Sequence, residues 1–214
     1  AFDESSHHDI SHTVLSAVET DGNFVLNGSK KLVIDGSSAD VLIVLGRTSG
    51  SKGEMAGLSL FILESHADGI SRVKLDMADS RNYANIEFND VVVSSDALLG
   101  SQEAGGEAMD HILDIGRIAI SAEMLGNSEA AFSTTIDYLK ERKQFGVLIG
   151  TFQALQHRAA EMFCEIELTK SSVMAAMQGA DENSNQLQVL ASLAKSISGD
   201  TLHLVSNEAI QMHG

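Results

Sequence analysis

Residues 88–113 read Phe88-Asn-Asp-Val-Val-Val-Ser-Ser-Asp-Ala-Leu-Leu-Gly-Ser-Gln-Glu-Ala-Gly-Gly-Glu-Ala-Met-Asp-His-Ile-Leu113, and this stretch decides the fold. Before Gly105-Gly106 the apolar residues come in short, β-branched runs, which suit strands. After it they recur at steps of three and four, which suits helices. The period changes once, so a β region should be followed by a helical one.

Upstream, the pattern predicts strands at Thr13–Val18, Asn23–Leu26, Val41–Leu45, Leu58–Leu63, Ile70–Leu75, and Ala84–Phe88 with Val91–Val93. Asp21-Gly22 reads as a hairpin turn, and Asn27-Gly28 as a second turn of the same chemistry. Val41–Leu45 is apolar throughout, so it is expected to be buried on both faces. Thr48–Gly57 is rich in Gly, Ser and Lys and should be an exposed loop. Short strands at this spacing suggest a sandwich or barrel.

Downstream, one predicted helix carries Met109, Ile112, Leu113, Ile120 and Met124 on its apolar face and runs to Leu139. A second starts near Thr151, a suitable N-cap, and carries Leu155, Ala159, Met162, Ile166, Val173 and Met177. A third carries Leu187, Leu190, Ala194, Ile197, Thr201 and Leu204. Short connections imply antiparallel packing. The expected class is α+β: a sandwich or barrel-like β domain over residues 1–102, then a helical bundle of three long helices over 103–214.

The chain has 214 residues, a net charge of −16, one cysteine and no proline. Fifteen acids and seven bases fall in residues 1–100, and the same numbers fall in the rest, so the charge is not a tail. A surface this acidic repels phosphate backbones and argues against nucleic acid as a partner. No apolar run reaches 18 residues, so no membrane span is expected. Cys164 alone builds no disulfide framework and fits a reducing cytoplasm. No nucleotide-binding glycine loop, nucleophile elbow or C-x-x-C is present. His7, His8 and His12 form a small cluster, which reads as a solvated loop in preference to a zinc site; no metal is expected.

Three segments carry more specific information. They are Glu141-Arg-Lys-Gln-Phe-Gly146, Phe152-Gln-Ala-Leu-Gln156 and Ala209-Ile-Gln-Met-His-Gly214. In this order and spacing they closely resemble the acyl-CoA dehydrogenase family. Asn27-Gly28-Ser-Lys30 before a strand, and Phe88–Val93 leading to Leu99-Gly100, are similar too.

The resemblance implies a middle β domain and part of a C-terminal helical domain, assembled as dimers or tetramers. It implies FAD as cofactor, an acyl-CoA thioester as substrate and an electron-transfer flavoprotein as electron acceptor. Arg142, Gln144, Phe145, Phe152, Gln153, Gln211 and Gly214 would complete an FAD site held mainly by a neighbouring subunit. A guanidinium suits a pyrophosphate, and Gln side chains offer donors and acceptors to adenine or ribityl edges. Arg117, three residues after Asp114, matches a helix position that lines the acyl-CoA site.

Two flavin-facing motifs are altered. Asp3–Asp9 stands where the family has a Thr-Glu-Pro-Gly-Ala-Gly-Ser-Asp-like loop. Leu32-Val33-Ile34 stands where it has Trp-Ile-Thr. Leu32 and Ile34 offer area but no hydrogen bond. Most members carry the catalytic Glu beyond the segment matched by Gly214, and others at the place of Gly116, so the catalytic residue is unknown. The chain reads as a piece of a longer protein, inactive by itself. Three functions follow: a dehydrogenase, a non-catalytic subunit completing a partner's FAD site, or a related oxidase or nitroalkane-oxidising enzyme.

Overall fold

The structure, a computed structural model, describes residues 1–4 and 9–214. His7 and His8 lie outside the described residues. The chain divides into two compact units, Ala1–Asp110 and His111–Gly214.

The first unit is built on seven strands: β1 (Ser16–Thr20), β2 (Asn23–Ile34), β3 (Val41–Arg47), β4 (Leu58–Glu64), β5 (Ile70–Asp76), β6 (Asn82–Ser94) and β7 (Leu98–Leu99). They form one mixed sheet in the order β5-β6-β2-β1-β3-β4-β7. Asp21 and Gly22 both have positive φ, 51° and 77°, and Thr20 pairs with Asn23. This is the two-residue turn that an Asp-Gly pair favours.

The sheet is curled. Phe24 of β2 and Phe61 of β4 stand three strands apart, about 14 Å in a flat sheet. Their rings nevertheless meet edge to face with centroids 5.0 Å apart. The inward residues Leu15, Leu26, Val44, Ile86, Phe88 and Val91 share their core. The expectation of a barrel-like β region is thus met by one curved sheet around one core.

Two details differ from the sequence expectation. Asn27-Gly28 makes no turn, and β2 continues through it to Ile34. Leu26 pairs with Val91 and Gly28 with Phe88, so Asn89 and Asp90 together face Asn27 in a β-bulge. Asn27 Nδ2 donates to Asp90 Oδ1 at 3.0 Å, and Asp90 N–H donates to Asn27 Oδ1 at 2.8 Å. Gly28 (φ 142°) is needed because a Cβ there would stand 2.9 Å from Leu15 Cα. A second bulge undoes the shift: Lys30 pairs with Ile86 and Val33 with Ala84, so Lys31 and Leu32 face Asn85. The second difference is β3, which buries both faces only toward its end: Val41 and Ile43 are exposed, while Val44, Leu45 and Gly46 are all buried. A run of apolar residues does not say which face a curled sheet closes over.

The second unit holds most of α1 (Gly105–Glu141), then α2 (Gln153–Asp181) and α3 (Leu187–His213). Each buries a stripe at alternating steps of three and four. In α1 it runs Ile118, Ser121, Leu125, Ser128, Phe132, Thr135, Leu139; in α2, Met162, Ile166, Thr169, Val173, Ala176; in α3, Leu187, Ala191, Ala194, Ser198, Thr201, Val205. A mean step of 3.5 is the coiled-coil seam. Ile118 clusters with Val173, Ala176, Leu187 and Ala191, while Leu139 clusters with Met162, Ile166, Val205 and Met212. So α2 runs antiparallel to both α1 and α3.

The α1 face expected from hydropathy is corrected in part: Met109 is buried and Leu113 and Met124 are half-buried, but Ile112 and Ile120 are exposed. The true seam uses small hydroxyls that bond back along the helix. Ser121, Ser128 and Thr135 donate to the carbonyls of Arg117, Met124 and Ala131 at 2.6, 2.9 and 2.8 Å. The start of α2 is corrected too. Thr151 donates to Leu148 O at 2.7 Å within a 3-10 turn, and Phe152 holds the N-cap position without a side-chain bond.

Between α2 and α3, the buried hydroxyls of Thr169 and Thr201 are 2.7 Å apart. Thr201→Val is expected to cost about 1–3 kcal/mol by stranding Thr169. Thr169→Val in the same chain should return most of it, as read by thermal unfolding of the cycle.

Candidate functional site

One end of the helical unit gathers all three C-terminal motifs. Helix α1 stops at Glu141, and β8 (Lys143–Gln144) and β9 (Val147–Leu148) form a tight hairpin. Phe145 and Gly146 supply its turn with φ of 53° and 81°. Ile149 N–H donates to Arg142 O at 2.9 Å and closes the hairpin base. Gly150 then passes under α1, where a Cβ would stand 2.8 Å from Leu139 O. Gln156 Nε2 donates to Gly150 O at 2.9 Å and fixes the entry to α2.

The last turn of α3 is tied to the same place. Tyr138 stacks on His213 with centroids 4.3 Å apart, and its hydroxyl donates to His213 O at 3.3 Å. Met212 is buried against the cluster containing Leu139 and Ile149. Arg142, Gln144, Gln153, Gln211 and Gly214 therefore share one exposed end. Phe145 is 92% exposed at the hairpin tip, 6.3 Å from the Phe152 ring. Among the described residues Arg142 makes no ion pair. The uncapped start of α2 adds free backbone N–H groups, which favour an anion. A bare aromatic ring, a free guanidinium, three amide side chains and a helix N-terminus fit a dinucleotide with a pyrophosphate.

Asp114 and Arg117 form a separate place on α1. Arg117 Nη1 donates to Asp114 Oδ1 at 2.5 Å, with Asp114 buried and Arg117 half-exposed. Arg117 stands 24 residues before Glu141, the last residue of the same helix and the neighbour of Arg142, which is about 36 Å. Gly116 lies between them with open space over its Cα.

A third place lies wholly within the β unit. A cavity of about 330 Å³ is lined by Ala1, Phe2, Asp3, Lys31, Leu32, Val33, Ile34, Met77 and Tyr83. It joins Asp3, the first residue of the altered 3–9 motif, to the altered 32–34 motif. Leu32 sits on the β2 bulge with φ 50°, a costly conformation for a side chain of this size. Asn85 Oδ1 accepts its N–H at 3.2 Å. Ile34 is 68% exposed. The lining presents area to a flat ring, and positions 32 and 34 give it no side-chain hydrogen bond.

Lys30, one residue before the cavity-lining Lys31, is fully buried. Its ammonium donates to Glu4 Oε1 at 2.5 Å and to Phe2 O at 3.2 Å. Glu4 also accepts the N–H groups of Val14 and Leu15 at 2.7 and 3.0 Å. Burial pushes Lys30 down to about 8, against the opposing pull of Glu4. Sequence reasoning missed Glu4, Lys30, Met77, Tyr83, Asn85 and Tyr138 as site-forming residues. Lys30 had a signal: it falls in step with Phe24 and Leu26, which are buried two residues apart along β2. His12 stands 3.8 Å from Asp9, and no trio of metal-ligating side chains gathers among the described residues.

The family model for the acyl-CoA dehydrogenase C-terminal domain matches residues 103–214. The chain belongs to the acyl-CoA dehydrogenase family. The short-chain-specific acyl-CoA dehydrogenase of Megasphaera elsdenii is 34% identical over 91% of this chain and 51% of its own length. The solved butyryl-CoA dehydrogenase of the same organism superposes with a TM-score of 0.90 at 32% identity, over 100% of this chain and 56% of that one. A caffeyl-CoA reductase–Etf complex subunit of Acetobacterium woodii is 30% identical over 93% of this chain and 53% of its own length. This acyl-CoA dehydrogenase chain thus spans about half the length of the curated relatives it matches. No helix among its described residues is long and apolar enough to cross a membrane.

Proposed function

We propose that the parent protein is an FAD-dependent dehydrogenase of acyl-CoA thioesters, and that this chain completes a neighbouring subunit's FAD site. The observation that carries this is the convergence of Arg142, Gln144, Phe145, Gln153 and Gln211 on one exposed end of the helical unit. Free polar groups and a bare aromatic tip on a rigid frame suit a partner that brings the rest of the ligand. Arg142 would hold a pyrophosphate by paired charge-assisted bonds. Gln144, Gln153 and Gln211 would meet ring or sugar edges, and Gly214 would allow close backbone approach. FAD supplies the hydride acceptor when bound.

Residues 1–102 take the part of the family's middle β domain and 103–214 that of its C-terminal helical domain. Asp114 holds Arg117 in place to meet the acyl-CoA. The electron acceptor is an electron-transfer flavoprotein, in keeping with the Etf-complex relative. Self-association or a related subunit supplies the second half of each FAD site, and the protein works in the cytoplasm. Residues 1–214 alone are expected to be inert toward acyl-CoA, since Gly116 has no carboxylate to take the alpha proton.

The experiment is a visible spectrum of the full-length protein, as purified and after addition of acyl-CoAs. A flavin band bleached by one chain length is expected. A colourless protein inert to every chain length overturns the reading. The apolar 32–34 wall favours a second reading, a non-catalytic subunit in a mixed assembly. One FAD per chain in the protein purified alone would exclude it.

A further inference from the structure

The β-unit cavity has walls without side-chain donors at positions 32 and 34, so a ring lodged there is held mainly by contact. Dispersion is steep in distance: a gap of about 0.5–1 Å forfeits a quarter to a half of each contact. Wall spacing then decides affinity. Ala1–Asp3 supplies one part of the lining and Leu32–Ile34 another, with Lys31, Met77 and Tyr83 completing it. The first is fastened to the second at two points. Lys31 N–H donates to Asp3 O at 2.7 Å. One residue earlier on β2, the Lys30 ammonium donates to Phe2 O at 3.2 Å and Glu4 Oε1 at 2.5 Å. Glu4 in turn is moored to the backbone of Val14 and Leu15 at 2.7 and 3.0 Å. Lys30 also ends the regular β2–β6 pairing just before the bulge that turns Leu32 outward.

We propose that Glu4 and Lys30 are positioning residues for ring binding: their buried ion pair sets the spacing of the two cavity walls. The proposal rests on the reading that this cavity receives a flavin ring. A merely structural pair would lower stability and leave the ring affinity of the folded chain alone.

The probe is lumiflavin, the bare ring without phosphate or adenosine, titrated into the full chain at a temperature where every variant is folded. The chain has no tryptophan and two tyrosines, so emission of the cavity-lining Tyr83 reports occupancy in a Tyr138→Phe background. Lys30→Met/Glu4→Gln removes the pair as a unit and is expected to lose lumiflavin affinity about tenfold. Phe61→Leu, in the same core but outside the cavity lining, is expected to lose stability and keep affinity. Wild-type affinity in the folded double variant overturns the proposal. If the double variant does not fold, Glu4→Gln decides: it loses the charge, and its single amide oxygen keeps the mooring bond to Val14 or to Leu15 but not both, because those N–H groups meet different carboxylate oxygens. It should weaken binding severalfold, and unchanged binding overturns the proposal. A wild-type chain that ignores lumiflavin overturns the flavin reading of the cavity and the positioning claim with it. Loss in the variants alone supports both.

Discussion

Lys30→Met is expected to destabilise the β unit by about 3–5 kcal/mol at neutral pH, the usual result of breaking a buried pair from one side. Two terms oppose each other. Removing the ammonium relieves a costly burial, since Lys30 is pushed down to about 8. It also leaves the Glu4 carboxylate with only the amides of Val14 and Leu15. The second term is larger, because an uncompensated buried charge costs more than a paired one. Lys30→Met/Glu4→Gln should therefore recover most of the loss, as read by urea unfolding followed at Tyr83. A single variant as stable as wild type would show that the pair contributes nothing.

The pH dependence has a definite sign. The folded-state pKa of Lys30 lies below its ordinary value, from 10.5 down to about 8. Between those values the unfolded chain binds more protons than the folded one, so stability rises with pH across that window. The difference between wild type and Lys30→Met should move in wild type's favour from pH 8 to pH 10, by at most about 3 kcal/mol. A flat difference over that range would refute burial as the cause.

The second large effect concerns the cofactor. Arg142→Ala in the full-length protein should weaken FAD binding about 10- to 100-fold, the worth of charge-assisted bonds to a phosphate. Thermal stability of the free chain should stay unchanged, because Arg142 is exposed and engages no carboxylate among the described residues. Arg142→Lys should recover only part of the affinity, since a point charge lacks the forked donor geometry. Calorimetric FAD titrations of the three proteins test this. Equal affinity in all three would remove the helical end from the cofactor site.

Much of the fold was legible in the sequence, and the misses have physical causes. All three long helices were visible because their apolar residues recur at short range. The α1 seam was misplaced because Ser121, Ser128 and Thr135 hide their hydroxyls on their own backbone. The hairpin at Asp21-Gly22 was visible because two left-handed residues suffice to make it. Asn27-Gly28 has the same local chemistry and a different outcome. Its partner is Asp90, 63 residues away, and that pairing lets β2 run on. For the site, the bundle-end motifs were readable as a set. The stacking of Tyr138 on His213, which brings α3 to α1, was not.

By itself the sequence determined the change from strands to helices, the family, and the residue types offered to a cofactor at Arg142, Gln153 and Gln211. These follow from local periodicity and from motifs contiguous in the chain. Only the tertiary structure decided which faces close and which motifs meet. The apolar run at Val41–Leu45 exposes Val41 and Ile43 and buries both faces only from Val44 on. Leu32 turns outward because Asn85, 53 residues on, accepts its N–H. Glu4 and Lys30 look like two surface charges in the sequence. They become a buried tie because a curled sheet closes over them, and a charge sealed from water must take its partner along.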